Sequence, residues 1–285
     1  MDIAGSQLLL KFVQDALAED VGDGDHTTLS TIDPSCVGQA KLIAKENGLI
    51  AGVAVALQII NIIDAEMSVT LLKKDGDAVS VGDIVLLMEG KIHTILKAER
   101  LVLNIMQRMS GIATNTAKIV ALVQHTSTKV LDTRKTTPLL RFLEKEAVKI
   151  GGGVNHRFGL YDMILIKDNH VDYAGGITQA LEAANNYRKN LPKPIDIEIE
   201  VRNFEELQEV LTFGQVERIM FDNFSVEEVR KAVKIVNNQF ITEASGGITL
   251  ETIREYAETG VNFISVGALT HSVKSLDLSL KAKLV

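Results

Sequence analysis

The chain has 285 residues, 46% of them hydrophobic and 24% charged, with a formal net charge of −7 and a single cysteine. Those proportions exclude an extended disordered or collagen-like chain. The acidic balance argues against non-specific attachment to DNA or anionic lipid, and a lone Cys36 excludes an internal disulfide framework and suits a reducing compartment. Between Met1 and Phe12 the only apolar run is Leu8-Leu9-Leu10, so no secretory leader is expected. The greasiest stretch, 49–57, is about half the length of a membrane-spanning helix, and the chain reads as cytoplasmic with buried structure there.

Residues 39–53 are predicted to form two short strands around Asn47-Gly48, a hairpin signal. Apolar residues at helical spacing follow over Val53–Ile63. From 68 to 96 the pattern breaks into short strands punctuated by Asp75-Gly76, Gly82-Asp83 and Glu89-Gly90, and it is helical from 101 to 123. The length fits one large domain or two. The expected division is a smaller α/β unit over 1–110 and a second domain over 111–285, whose C-terminal tail is free to return to the first.

After Thr128 short apolar strands alternate with amphipathic helices. The strands are expected at 129–131, 163–166, 195–201, 218–221, 240–242 and 263–266. Among the helices, 139–150 is followed by Gly151-Gly152-Gly153, which reads either as its stop or as a ligand loop, and 225–236 opens on a serine cap with an acidic first turn. Repeated strand–helix units imply a parallel sheet. Six of them fall short of an eight-stranded barrel, so the expected fold is α/β with an open or incomplete (β/α) barrel.

In such a barrel the site forms where strands run into the following loops. The first strand leads into Asp132-Thr133-Arg134-Lys135-Thr136 and the second into Lys167-Asp168-Asn169-His170. The third carries Asp196, Glu198 and Glu200 on one face. The fourth ends at Asp222-Asn223, the fifth at Ser245-Gly246-Gly247 and the sixth at Gly267. Converging on one mouth, Arg134, Lys135, Arg157 and Lys167, with His156 beside them, require an anionic partner; arginine forks suit carboxylates or phosphates. Glu200 and Asp222 on neighbouring strands suit Mg²⁺ shared with a phosphate, whereas Glu198 reads better as the buried partner of an arginine. Gly246-Gly247 before a helix starting near Thr249 offers an anion seat or a plain turn. Asp25, His26 and His271 read as structural or surface residues, and His93 and Cys36 as unremarkable. No CxxC, HExxH, GxSxG or Walker pattern occurs.

Three ordered motifs carry a resemblance that spans essentially the whole chain. They are Asp132-Thr133-Arg134-Lys135-Thr136, then Gly151-Gly152-Gly153-Val154-Asn155-His156-Arg157, then Leu165-Ile166-Lys167-Asp168-Asn169-His170. With Glu19-Asp20-Val21-Gly22 and the segment from Val266 to Ser272, they resemble the quinolinate phosphoribosyltransferase family, type II phosphoribosyltransferases. The resemblance implies an N-terminal α/β sandwich domain on an open α/β barrel, in a homodimer or multiple of dimers with a shared active site. It implies transfer from phosphoribosyl pyrophosphate to quinolinate with Mg²⁺ and loss of carbon dioxide, in NAD biosynthesis.

By motif position, Arg134, His156, Arg157 and Lys167 look like quinolinate ligands, and Arg100 like the arginine reaching in from a partner subunit. Lys135, Glu200 and Asp222 look like the residues around the ribose, pyrophosphate and metal, with Lys167 also in the catalytic set. Ser245, Gly246, Gly247 and Gly267 look like the phosphate seat, with His271 nearby. The family usually has glycine after the proline of the first motif, where this chain has Leu139 after Pro138. A related family linked to molybdenum transport tends to lack the Lys-Asp-Asn-His run. Rival readings are a Schiff-base sugar-phosphate lyase using Lys167 and a non-catalytic phosphate-binding barrel.

Overall fold

The computed structural model describes residues 6–283, so the first residues of the 1–12 segment read for a leader lie outside them. In chain order, α1 (Gln7–Val21) and α2 (His26–Thr31) precede β1 (Val37–Ala44), β2 (Gly48–Leu49), α3 (Val53–Ile63), β3 (Ser68–Leu71), β4 (Ala78–Val79) and β5 (Ile84–Lys91). The helix α4 (Ile92–Val123) leads to β6 (Lys129–Leu131), α5 (Arg141–Ile150), β7 (Ile164–Ile166), α6 (Asp168–Ala174), α7 (Ile177–Lys189) and β8 (Ile197–Val201). Then come α8 (Phe204–Phe213), β9 (Arg218–Asp222), α9 (Val226–Val236), β10 (Ile241–Ser245), α10 (Ile253–Ala257), β11 (Phe263–Ser265), α11 (Ala268–His271) and β12 (Leu278–Lys283).

The chain forms two compact units. One runs to Ala117 and takes in Thr136–Gly152 and the chain from Leu269 on; the other is Lys118–Lys135 with Gly153–Ala268. In the first, an antiparallel sheet has the order β12-β1-β5-β3. The last strand belongs there because β1 offers it a free edge, in the register Ala40↔Ala282 to Ala44↔Leu278. Both edges of β1 are therefore taken, and the expected hairpin around Asn47-Gly48 does not form. Gly48 pairs instead with Val79 of β4, while Asn47 Oδ1 accepts the Val81 N–H. Glu89-Gly90 is likewise not a turn, since it continues β5 opposite Gln39 and Gly38. Helix α4 then begins at Ile92 rather than near 101, and Ile95, Ala98, Val102, Leu103 and Met106 bury one face of it at helical spacing.

Within this unit Arg108 of α4 binds a buried acid. Its Nε donates to Glu144 Oε1 at 2.7 Å, and its Nη2 to Thr137 Oγ1 and the Thr270 carbonyl, each at 3.0 Å. Glu144 Oε2 also accepts the Thr137 N–H. Phe142 meets Phe12 edge-on at 6.0 Å between ring centroids. These contacts explain why 136–152 packs here.

The second unit holds a six-stranded parallel sheet in the order β6-β11-β10-β9-β8-β7. Its first strand in the chain lies beside its last, which is the cyclic order of a barrel. The seam stays open: β6 and β7 do not pair, and one isolated bridge, Leu131↔Val154, occupies the free edge of β6. The strands read correctly from sequence to within a few residues, because runs such as Ile197-Glu198-Ile199-Glu200-Val201 are buried on both faces. The helices between them are capped by their own sequence. Ser225 and Glu228 form a reciprocal capping box on α9, and Asn203 accepts the Glu206 N–H on α8.

Leu139 differs from expectation in a telling way. The helix predicted from 139 starts at Arg141, and Leu139 takes φ +66°, with 86% of its surface exposed. That is the left-handed region, which a bulky side chain enters at a cost. Leu139→Gly removes about 1–2 kcal/mol of strain against the roughly 0.5–1 kcal/mol of extra chain entropy that glycine loses on folding. The variant is expected to raise the midpoint of urea unfolding. An unchanged or lower midpoint contradicts a strained Leu139.

Candidate active site

The open seam builds the site. Beyond β6 the chain returns along that strand's free edge: the Val154 N–H donates to the Val130 carbonyl at 2.8 Å, and the Asp132 N–H to the Val154 carbonyl at 3.1 Å. Asp132, fully buried, then accepts the His156 N–H on Oδ1 at 2.8 Å. The glycine-rich second motif is thereby laid beside the first, and Arg157 is set against the loop that carries Arg134 and Lys135. Arg157 is further held by donating Nη1 to the Met163 carbonyl at 3.1 Å.

Next along the mouth, Lys167 follows β7. Its N–H donates to His170 Nδ1 at 2.9 Å, which accounts for the histidine ending the third motif. Its ammonium forms a close ion pair with Glu200 Oε1. An ammonium so held is not the free amine that Schiff-base chemistry requires.

These groups surround a cavity of about 320 Å³. Arg134, Lys135, His156, Arg157, Lys167, Glu200 and Ser245 line it, together with Thr133, Leu165, Met220, Glu243 and Ser265. Arg134, Lys135 and Lys167 are exposed at the mouth, whereas Arg157 is buried. Burial, followed by the charge of Arg134, pulls the Arg157 guanidinium below its ordinary range. An anion between these cations relieves that crowding.

Beneath them lies a sealed polar floor. Glu198 and Glu243 have no exposed surface, and Arg218 donates Nη1 to Glu243 Oε2 at 2.9 Å while its guanidinium stacks 4.6 Å from the centre of the Phe263 ring. His156 Nε2 lies 2.9 Å from Glu198 Oε2 and 3.5 Å from Glu243 Oε2. Its Nδ1 accepts the Arg157 N–H at 2.7 Å, which leaves Nε2 to face the two carboxylates. Both ring nitrogens thus face protein, and the ring presents a wall to the cavity. Burial pushes Glu198 up to about 7, opposed by Arg218. Burial and the charge of Glu198 push Glu243 up to about 8, opposed by His156 and Arg218. The donor atoms of His156, Glu198 and Glu243 lie within 4.8 Å of one another, but Arg218 already supplies the cation there. Glu198 is thus buried as expected, but its near neighbour is His156, and the arginine pairs with Glu243 instead.

The remaining expected residues lie outside the cavity lining. Asp222 is half-buried at the end of β9, accepting from Asn223 Nδ2 at 3.0 Å. In the register Glu200 faces Met220, so Asp222 sits two residues further along the same face. The Glu200 carboxylate faces Lys167. The turn after β10 does not lead into a helix at Thr249. Gly246 and Gly247 take φ +91° and +63°, and α10 begins only at Ile253. A side chain on Gly246 would strike Asn223, whose N–H donates to the Ser245 carbonyl at 2.8 Å, so the loop's close approach replaces the expected helix terminus. Gly267 directly precedes α11. Arg100 is exposed on α4 and His271 is exposed with Nδ1 2.7 Å from Ser272 Oγ; both belong to the other compact unit. Asp25, read as structural, caps α2 by accepting the Thr28 N–H.

Sequence reasoning missed Glu243, Ser265 and Arg218. Ending the fifth strand at 242 hid the alternation Glu243–Ser245, which carries the same signal as Glu198–Glu200.

Two family profiles cover nearly the whole chain: the N-terminal domain of quinolinate phosphoribosyl transferase over residues 25–110 and its C-terminal domain over 112–281. A chloroplastic nicotinate-nucleotide pyrophosphorylase (carboxylating) of Arabidopsis thaliana is 46% identical over 281 residues, covering 93% of this chain and 80% of the relative. A probable enzyme of that name from Bacillus subtilis is 44% identical over 97% of this chain and 94% of its own length. Among solved structures, the nicotinate-nucleotide pyrophosphorylase of Francisella tularensis matches with a TM-score of 0.91 at 38% identity, over 99% of this chain and all of that one. Motifs, strand order and relatives agree, and the chain belongs to the quinolinate phosphoribosyltransferase family.

Proposed function

We propose that this chain transfers the phosphoribosyl group of phosphoribosyl pyrophosphate to quinolinate and removes one carboxylate, giving nicotinate mononucleotide, pyrophosphate and carbon dioxide for NAD biosynthesis. The observation that carries this reading is the cavity where Arg134, Lys135, Arg157 and Lys167 crowd without an equal number of acids at the mouth. A planar dicarboxylate matches the arginine forks. Arg134 and Arg157 hold the quinolinate carboxylates, and Lys167 turns from Glu200 to meet them. His156 backs the ring as a wall and, through its N–H to Asp132 and its contact with Glu198, keeps Arg157 in place.

Lys135, Ser245 and the backbone of the Gly246-Gly247 turn, with Gly267, receive the phosphates of the second substrate. Glu200 and Asp222 offer oxygen donors on neighbouring strands without a closed cage, which fits Mg²⁺ completed by substrate oxygens. Glu200 and Asp222 would hold that ion, which would supply positive charge to offset that of the departing pyrophosphate. Lys135 adds a point charge to the same leaving group. The chain's own part is positioning: it aims the pyridine nitrogen at the anomeric carbon from which pyrophosphate departs. Alkylation leaves a cationic ring nitrogen, and that charge stabilises the carbanion formed as carbon dioxide leaves the adjacent carbon.

Arg100 is the guanidinium that a second copy of this chain contributes, so the working species is a dimer or a multiple of dimers. Among the described residues, no helix is long and apolar enough to cross a membrane, in keeping with small soluble substrates and a cytoplasmic setting.

Arg157→Ala is expected to weaken quinolinate binding by about 1.5–3 kcal/mol, roughly 10- to 150-fold, the worth of a charge-assisted hydrogen bond. Titration calorimetry reads this, and unchanged affinity removes Arg157 from the site. Nicotinate, lacking one carboxylate, should lose a similar amount against the unaltered protein. Mixing inactive Arg100→Ala and Lys167→Ala chains is expected to restore part of the activity through hybrid sites. No recovery after confirmed subunit exchange contradicts an arginine acting across the interface.

A further inference from the structure

Two strand ends of the parallel sheet carry groups assigned above to the second substrate: Asp222 closes β9, and Ser245-Gly246-Gly247 leaves β10. A carboxylate at a strand end turns about its own side-chain bonds, and a two-glycine turn has wide backbone freedom. The ladder between the strands ends at the pair Ser245↔Asp222 and fixes neither. Asn223 touches both. Its N–H donates to the Ser245 carbonyl at 2.8 Å, and its Nδ2 donates to Asp222 Oδ2 at 3.0 Å. A carboxylate only accepts, so the amide nitrogen faces Asp222 and the amide oxygen is turned elsewhere. That oxygen lies against Gly246, in the space a side chain there would fill. The next residue anchors the turn from behind. Phe224 is buried, stacks on Phe221 at 5.5 Å between ring centroids, and its carbonyl accepts from Tyr256 Oη at 2.8 Å. Between these anchors Asn223 takes φ +57° and stays exposed. Glycine would satisfy that backbone at least as well, so what the position adds is the side-chain amide.

We propose that Asn223 is the positioning residue that sets the Asp222 carboxylate and the Gly246-Gly247 turn at the spacing one phosphoribosyl pyrophosphate requires. With Asp222 Oδ2 held by the amide, Oδ1 is left as the oxygen to offer to Mg²⁺. The amide oxygen in turn keeps the backbone of Gly246 from closing on the end of β9. Mg²⁺ tolerates little error in the placement of its oxygens, and hydrogen bonds to a ligating carboxylate hold that placement. The phosphates then meet a carboxylate and a run of backbone N–H groups already spaced for them, so the ordering of the two loops is done in folding rather than in binding. Asn223 acts through Asp222 and the turn, not on the reacting atoms. The inference rests on the phosphoribosyl-transfer reading of the cavity and deepens it.

Asn223→Gly keeps the left-handed backbone and removes the amide, whereas Asn223→Ala removes the amide and strains the backbone as well. Phosphoribosyl pyrophosphate is titrated calorimetrically into each variant with Mg²⁺ and saturating phthalate, which carries both carboxylates but no ring nitrogen to be alkylated. Both variants should bind it about 10- to 100-fold more weakly than the unaltered protein. Phthalate affinity, measured separately, should stay within about twofold, because Arg134, Arg157 and Lys167 do not touch Asn223. In turnover the loss should fall on KM for phosphoribosyl pyrophosphate and on the Mg²⁺ concentration required, with KM for quinolinate unchanged. Parental affinity in Asn223→Gly, whatever the alanine variant does, assigns the position to its backbone and overturns the proposal. Equal weakening of both ligands marks general damage to the fold and overturns it too. Should the glycine variant not fold, the alanine variant is read by the same ratio: selective loss of phosphoribosyl pyrophosphate supports the assignment, and equal loss or none contradicts it. An unaltered protein that binds phthalate but not phosphoribosyl pyrophosphate overturns the phosphoribosyl-transfer reading itself.

Discussion

Charge sealed inside the parallel sheet must be balanced where it stands, and the organisation of the site follows from that requirement. Inward positions on β8, β9 and β10 carry Glu198, Arg218 and Glu243 where a barrel interior would otherwise hold aliphatic side chains. Each is affordable only with a partner, since an unpaired buried ion is strongly destabilising. The network therefore fixes which strands neighbour one another and in what register. It also fixes His156, and through its backbone Arg157, so the floor determines the geometry of the mouth above it.

The open seam is the second determinant. A closed barrel would have paired β6 with β7. Leaving that edge free lets the segment around Val154 run beside β6 and bring a second cluster of cations to the same end as Arg134 and Lys135. The excess of positive charge at the mouth is maintained without collapse because Asp132, Met163 and Glu200 anchor the chain on which it sits. Anion binding is thus built into the connectivity, and the strain of like charges held together is released when a dianionic ligand arrives.

Features set by local chemistry were legible in the sequence. The helix over Val53–Ile63, the capping of α9 by Ser225, and the doubly buried strand with Glu198 and Glu200 each follow from spacing and residue type. What failed depended on partners distant in the chain. Asn47-Gly48 looks like a hairpin, but β1 is claimed on both sides by β5 and β12, and nothing nearby announces a strand arriving from the far end. Glu89-Gly90 looks like a turn until Gly38 and Gln39 are set opposite it. Arg134, Arg157 and Lys167 were legible as a site because strand ends in a parallel fold converge. Glu243 was not, because a strand ended too early in the reading turns an inward acid into a loop residue. Leu139 was visible as a departure from the family pattern, yet only the backbone shows that it occupies a conformation suited to glycine.

The most decisive measurement is a product balance. The purified protein is incubated with phosphoribosyl pyrophosphate, Mg²⁺ and quinolinate labelled in its 2-carboxylate, with nicotinate in a parallel reaction. Carbon dioxide and nicotinate mononucleotide are followed together. Equal amounts of both from quinolinate, with no nucleotide from nicotinate, are the expected result. Neither product from folded protein, or nicotinate consumed as readily as quinolinate, would contradict a cavity built for a dicarboxylate that loses one of its acids.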